Sequence, residues 1–300
     1  MSALSAPVDH AAAARERARR SARRTTQHGW LTSLPGIVAV TVLCLVPIVM
    51  TLVEAFSAEG LAAARTLLET PVLGRAVRNT VVWTVISVVG AVLIGYGAAF
   101  LLQHRAVRWP GLVRSLLLLP WIVPQVVAAT IWCWYLSQDF GLLNRMLQVI
   151  GLIDDPVDWL SNTSLVLPVL ASIQVWSTFP FVMLIISAGL QGIPEELYEA
   201  ARLDGARSHH LLRYIVLPSL RDLTFIVLLI TTIWAFNSFA LVWLITSGGP
   251  ADSSTLLGVL LYRAFQQGDT ARVAVVAVLQ FLVSVVIALL YVKRTREEDA

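Results

Sequence analysis

The residues with the most chemical potential lie in a polar island from Gln191 to Arg221, between two long apolar runs. Glu199-Ala200-Ala201 is followed after three residues by Gly205, and after nine more by Ile215-Val216-Leu217-Pro218. One carboxylate among small side chains makes or breaks no covalent bond unaided, because acid–base and nucleophilic work needs a partner group within hydrogen-bond reach. What this spacing offers is recognition. Pro194 suits the first turn of a helix, where its missing N–H costs nothing, and Glu195 and Glu196 favour the positive end of the helix dipole. Leu197, Ala200 and Ala201 share a face with room for close docking. Gly205 permits the turn that stops this helix. Ser208 is expected to cap a second helix presenting Leu211, Leu212 and Ile215, and Leu217-Pro218 starts the return to apolar sequence. A helix–Gly–helix unit tied at both ends transmits a rigid-body push. The bland counterpart is an amphipathic hairpin resting on lipid.

Other chemistry is poorly served. Asp154 and Asp155 are adjacent on a loop and lack the separation of a carboxylate pair. Of five histidines only His209 and His210 are neighbours, and no metal-ligand spacing accompanies them. Cys44 and Cys133 both lie in apolar runs, as packed thiols do, and no disulfide is expected. A phosphate-binding G-x-x-x-x-G-K-[ST] is absent, so the chain is no ATPase itself. No catalytic residue, cofactor, metal or nucleic-acid partner is therefore expected.

The elements that position the island are apolar and long. Of 300 residues, 57% are hydrophobic and 14% charged, against about 25% charged in soluble domains. The chain reads as an all-α polytopic membrane protein. Six segments approach the ~20 residues that cross a bilayer: Leu31–Phe56, Asn79–Leu102, Leu112–Leu136, Leu165–Leu190, Leu223–Ile245 and Val273–Val292. The first apolar run is too long for a cleaved signal peptide and reads as a spanning helix. The chain thus divides into a basic tail (1–30), a six-helix domain (31–292) with the loop 191–221 between the fourth and fifth spans, and a short tail (293–300). With both termini inside, 16 of the 22 basic residues fall on the inner face, along with the Glu199 loop; basic residues favour that face. The basic tail would touch anionic lipid.

Several details within the spans bear on mechanism. Pro35 and Pro47 can bend the first. Gly90, Gly95 and Gly97 in the second allow close helix approach. Pro120 and Pro124, with Gln125, interrupt the third, whose freed carbonyls require protein or water and so place it toward the bundle interior. Trp132, Trp134 and Tyr135 suit an aromatic belt. Outside the spans, Gly60–Leu68 is expected to be partly helical, and Gly141–Ile150 to form an amphipathic surface helix.

With these motifs in place, the chain resembles the permease subunits of carbohydrate-type ABC importers, of the maltose and glycerol-3-phosphate type, over nearly everything after residue 30. Three signatures carry the resemblance: the Glu199–Pro218 spacing; Trp234-Ala235-Phe236-Asn237-Ser238-Phe239 with Thr246-Ser247-Gly248-Gly249-Pro250; and Phe179-Pro180-Phe181. It implies a second permease as partner, a pair of cytoplasmic ATPases gripping the loop through Glu199, Ala200, Ala201, Gly205, Leu217 and Pro218, and an external solute-binding (lipo)protein delivering a sugar. It implies a multi-pass protein of the bacterial plasma membrane. By position it carries sugar contacts onto Ser177, Thr178, Phe181, Thr231, Trp234, Ala235 and Ser238, with Asn237 nearby. Ala235 and Ser238 stand where the maltose pattern has amides, so the sugar's identity does not carry over.

Two rivals differ in class. An ion-coupled carrier or channel needs ionisable or broken-helix groups at mid-membrane; no Asp, Glu, Lys, Arg or His is central in any span, and Glu54 and Arg114 sit at ends. A membrane enzyme needs a nucleophile with a base, a metal cluster or paired acids.

Overall fold

The computed structural model describes the backbone of residues 10–103 and 107–298, and the side chains of 33–103, 107–291 and 293. His104 and Arg105 of the short basic turn lie outside the described residues, as do residues 1–9, the side chains of Arg15 to Arg24, and those of Arg294 and Arg296. The expected lipid-touching tail falls largely there.

The described backbone is helical throughout, with no strand. It runs α1 (His10–Ala55), α2 (Ala58–Glu69), α3 (Pro71–Gln103), α4 (Pro110–Ile122), α5 (Gln125–Tyr135), α6 (Leu142–Val149), α7 (Val166–Gln191), α8 (Glu195–Leu203), α9 (Ser208–Leu211), a π-helical turn (Leu212–Val216), α10 (Leu217–Ser219), α11 (Arg221–Phe236), α12 (Ala240–Thr246), α13 (Leu257–Gln266) and α14 (Thr270–Glu298). Among the described residues, five spans are long and apolar enough to cross a membrane, and six if α4 and α5 are one broken span. The chain forms two units, residues 1–54 and 55–300. The first is the greater part of α1, with its apolar stretch at Ser33–Ala55.

In the second unit, α3 and α7 form the central seam. Ala91, Ala98 and Ala99 of α3 are buried with Phe179, Val182, Met183 and Ile186 of α7. Trp83, fully buried, donates its indole N–H to the Ala235 carbonyl at 3.1 Å, tying α3 to α11. The expected glycine contacts hold at two of three positions. A Cβ on Gly90 would lie 2.6 Å from Val175 Cγ2, and one on Gly95 would lie 2.6 Å from Val182 Cβ and 3.0 Å from the Phe179 carbonyl oxygen, whereas Gly97 meets nothing. Backbone on one side of Gly95 cannot yield. Gly95→Val should therefore cost about 2 kcal/mol or more through overpacking, read as a lower unfolding temperature of the detergent-solubilised chain; Gly97→Val should leave it unchanged.

Two spans are broken. The third is interrupted where the paired prolines led one to expect it: α4 and α5 meet at 95°. Pro124 provides no N–H, and Val123 before it is extended (φ −65°, ψ 125°), as the residue preceding proline tends to be. The fifth breaks between Phe236 and Ala240, without any proline. There Gly258 of α13 makes room: a Cβ on it would lie 2.9 Å from Phe239 Cβ and 3.1 Å from the Ser238 carbonyl oxygen. Trp132 also departs from the belt reading. It is half-buried and meets Trp176 edge-on, ring centroids 5.6 Å apart, while Trp134 and Tyr135 stay exposed. The amphipathic α6 is as expected, but it is fixed by an unforeseen residue. Buried Asn144 donates to the Val157 carbonyl at 2.9 Å and accepts from Trp159 Nε1 at 2.9 Å.

At the bundle end opposite the Glu199 hairpin, the turn between α12 and α13 is bolted to the start of α3. Asn79 Nδ2 donates to the Asp252 and Thr255 carbonyls at 3.0 and 3.2 Å, and Leu257 N donates to Thr80 Oγ1 at 2.9 Å. Arg263 closes the turn with a 2.6 Å ion pair to Asp252 and a 2.6 Å bond to the Ser247 carbonyl. The hydrogen bond from Arg263 holds the Asp252 carboxyl below its ordinary value. A carboxylate depressed in the folded state contributes stability above its unfolded pKa, near 3.8, and loses it as pH falls through the folded value. Asp252→Asn should thus lower the unfolding temperature at neutral pH, by an amount equivalent to about 1 kcal/mol for a partly exposed pair. The gap should close only when the pH is taken below about 4.

Candidate functional site

Two places gather the candidate residues. The first is the hairpin. Tyr198 roots α8 in the cluster that holds Leu190, Ile193 and Val216, and burial pushes its phenol up. The helix ends in a closed motif. Ala206 N donates to the Ala201 carbonyl at 2.9 Å and Gly205 N to the Arg202 carbonyl at 3.0 Å, with Gly205 at φ +78°. This is the paired 6→1 and 5→2 bonding of a Schellman stop, which favours glycine at the left-handed position. Glu199, Ala200 and Gly205 are exposed and Ala201 is half-buried. Leu203, one helical turn beyond Glu199, is 89% exposed. Beyond the turn, Arg207 rather than Ser208 occupies the cap position of α9, and its N–H donates to His210 Nδ1 at 3.4 Å. A π-helical turn then carries the chain to buried Val216 and Leu220, while Leu217 and Pro218 stay exposed. The result is a rigid knob, fixed on one side and bare on the other.

The second place is a cavity of about 580 Å³ inside the bundle. Both helix breaks open onto it: Pro120, Trp121, Val123 and Gln125 from α4–α5, and Trp234, Asn237, Ser238, Phe239 and Ala240 from α11–α12. Between them α7 contributes Gln174, Ser177 and Thr178. Trp234 meets Phe181 at a tilt of 52° (ring centroids 4.8 Å apart), and Phe181 in turn meets Trp121 at 5.9 Å. Asn237 Nδ2 donates to the Ile233 carbonyl at 2.9 Å and to Ser284 Oγ of α14 at 3.3 Å. Gln174 is buried. Its amide N–H donates to Thr178 Oγ1 at 3.0 Å, but among the described residues its carbonyl oxygen has no donor. Among the described residues, no charged side chain lines the cavity.

Of the residues carried over by resemblance, Ser177, Thr178, Trp234, Asn237 and Ser238 thus line one cavity, and Phe181 backs it through its ring contacts. Thr231 and Ala235 do not reach it. Thr231 is buried and donates to the Val227 carbonyl of its own helix at 2.7 Å, as hydroxyls in membrane helices do. Ala235 is in the core, its carbonyl taken by Trp83.

The family of binding-protein-dependent transport system inner membrane components matches residues 91–294. This chain belongs to it. A probable ABC transporter permease of Brucella suis is 34% identical over 224 residues, covering 74% of this chain and 77% of the relative. The trehalose/maltose transport system permease MalF of Thermococcus litoralis is 31% identical over 71% of this chain and 72% of its own length. Among solved structures, a chain of a bacterial ABC transporter that imports the acidic polysaccharide alginate superposes with a TM-score of 0.80 at 23% identity, over 94% of this chain and 99% of that one; at that identity the likeness speaks for the fold.

The permease site contains residues the sequence did not single out. Gln174 carries no motif, Phe239 was legible only as the last residue of the Trp234–Phe239 signature, and Trp121 and Gln125 only as neighbours of the paired prolines. Gln174 had one signal available, an amide in the middle of an apolar span, since polar groups in such places tend to be functional.

Proposed function

We propose that this permease forms half of the path by which a neutral sugar or sugar derivative crosses the bacterial plasma membrane. An external solute-binding protein delivers the sugar, a second and different permease supplies the other half, and two cytoplasmic ATPases drive the cycle through the Glu199 hairpin. Carrying this reading is the meeting of two helix breaks at one uncharged cavity. Broken helices are tolerated at membrane depth where they line a cavity, and there they present backbone and polar groups to a solute. The volume falls within the roughly 300–1,000 Å³ usual for ligand sites. Amides and hydroxyls beside Trp121 and Trp234 suit a sugar's alternating polar and apolar faces. A glycerol phosphate or an amino sugar would find no counter-charge in this half, and a buried ion without one is costly. The naming of the Thermococcus relative for trehalose and maltose agrees with this choice.

The chain itself is not catalytic; ATP hydrolysis belongs to the companion subunits. Both termini lie inside, as the weight of basic residues on the hairpin side supports. In this orientation residues 1–30 and 293–300 are inner tails flanking the membrane domain 31–292.

Trp234→Ala should weaken sugar uptake about tenfold, since an aromatic stacking contact is worth about 1.5 kcal/mol, and leave the ATPase subunits bound. Uptake of the cognate sugar by proteoliposomes, with co-purification as control, reads both. Unchanged uptake kinetics would remove Trp234 from the path.

A further inference from the structure

At the hairpin end of the bundle, a separate pocket of about 210 Å³ lies between α3, α4 and α7. It is lined by Gln103, Pro110, Gly111, Arg114, Ser187 and Gln191, with Leu102 at its wall. Three independent features converge on it. First, α4 starts there without a side-chain cap: Trp109 provides none, and Val113 is the first amide of the helix with a backbone partner. Among the described residues the N–H groups of Gly111 and Leu112 have no partner and are left to donate to a ligand at the positive end of a 13-residue helix. Second, Arg114 is half-buried and makes no hydrogen bond or ion pair among the described residues. Third, Ser187 is 1% exposed, and its hydroxyl, buried at the pocket wall, has no partner among the described residues. Two amides, Gln103 and Gln191, supply further donors, and among the described residues no carboxylate lines the pocket.

We propose that this pocket binds a phosphate group. A guanidinium, free backbone amides at a helix start, a hydroxyl and side-chain amides are all donors, and together they match an oxyanion with three acceptor oxygens. A neutral sugar would leave Arg114 unmatched, and a cation would be repelled. The pocket lies at the ends of two apolar helices long enough to span a membrane, α3 at Gln103 and α7 at Gln191, so the phosphate can come from an anionic phospholipid headgroup or from solution. It is distinct from the sugar cavity and holds whether or not the transport reading does. An occupied pocket would pin the end of α4, one arm of the broken span, against α7.

The test uses the purified full-length chain with three variants: Arg114→Gln, Ser187→Ala and, as a control for charge alone, Arg108→Gln, whose exposed side chain lies outside the pocket. In one arm, detergent-solubilised protein is titrated with inorganic phosphate at fixed ionic strength and its unfolding temperature followed. In the other, protein in nanodiscs of phosphatidylcholine, or of phosphatidylcholine with about one-third phosphatidylglycerol, is analysed for retained phosphatidylglycerol after extraction. Arg114→Gln should weaken binding about tenfold or more, the loss of one charge-assisted contact, Ser187→Ala severalfold, and Arg108→Gln not at all. A response confined to the lipid arm assigns the site to a headgroup, and one in the phosphate arm alone assigns it to a free phosphate; either supports the proposal. If Arg114→Gln behaves as wild type in both arms, or no differently from Arg108→Gln, the proposal is overturned.

Discussion

The double variant Glu199→Arg/Gly205→Pro is expected to lose sugar uptake entirely and to release the ATPase subunits when the membrane complex is solubilised. Each substitution attacks a different part of the knob. Gly205 sits at φ +78°, and proline is locked near −65°, so the Schellman closure onto Ala201 and Arg202 cannot form. The C-terminal end of α8 then frays, and with it the exposed face of Glu199, Ala200 and Leu203. Reversing the charge at Glu199 places a longer side chain of opposite sign on the face proposed to dock, where a mismatched charge opposes association. A well-placed interface residue is worth about 2 kcal/mol or more on truncation, so the single Glu199→Arg change should already weaken assembly at least about thirtyfold. Because Glu199 is exposed and touches no core cluster, the isolated permease should keep its unfolding temperature in that single variant. Co-purification of the ATPase with the double variant, together with normal uptake, would refute docking through this hairpin.

The hairpin was legible because its conformation is local. Gly205 stops a helix by its own backbone freedom, and the acidic first turn, Glu195 and Glu196, marks where α8 starts. The spans were equally legible, since length and apolarity decide them. The helices run on past the expected spans: α3 begins at Pro71 and α14 ends at Glu298, since helical hydrogen bonding needs no apolar side chains and continues where the apolar run has ended. The break at Pro124 was half-visible. Proline announces an interruption, but a 95° bend is set by what packs around it.

The break at Asn237–Phe239 was invisible for a related reason. Its cause sits in another helix, at Gly258, which clears space for the Ser238 carbonyl and the Phe239 side chain. No local pattern signals a gap made by the absence of a side chain some 20 residues away. The same separation in sequence hides the cavity, whose walls come from α4–α5, α7 and α11–α12. Five of the residues named by resemblance line it, and two, Thr231 and Ala235, do not. Helix rotation accounts for the difference: moving one position around α11 exchanges the cavity for the core.

Gln174 gives the second large effect. Among the described residues its buried carbonyl oxygen has no donor, and a buried polar atom left unmet costs about 1–3 kcal/mol. A protein under no functional constraint would place leucine here. Gln174→Leu should accordingly hold or raise the unfolding temperature of the permease, with Thr178 left to bond its own helix. If the cavity is the proposed sugar path, the same change should reduce sugar affinity about five- to 150-fold, because a sugar hydroxyl that would donate to this oxygen is then buried unpaired, at about 1–3 kcal/mol. The two readouts move in opposite directions, which separates recognition from packing: a structural amide would lose stability and affinity together. Equilibrium binding of the cognate sugar to the assembled transporter, beside thermal unfolding of the same preparation, makes the comparison. An affinity that stays at the wild-type value would take Gln174 off the sugar's path and leave its buried carbonyl as a cost borne for some other purpose.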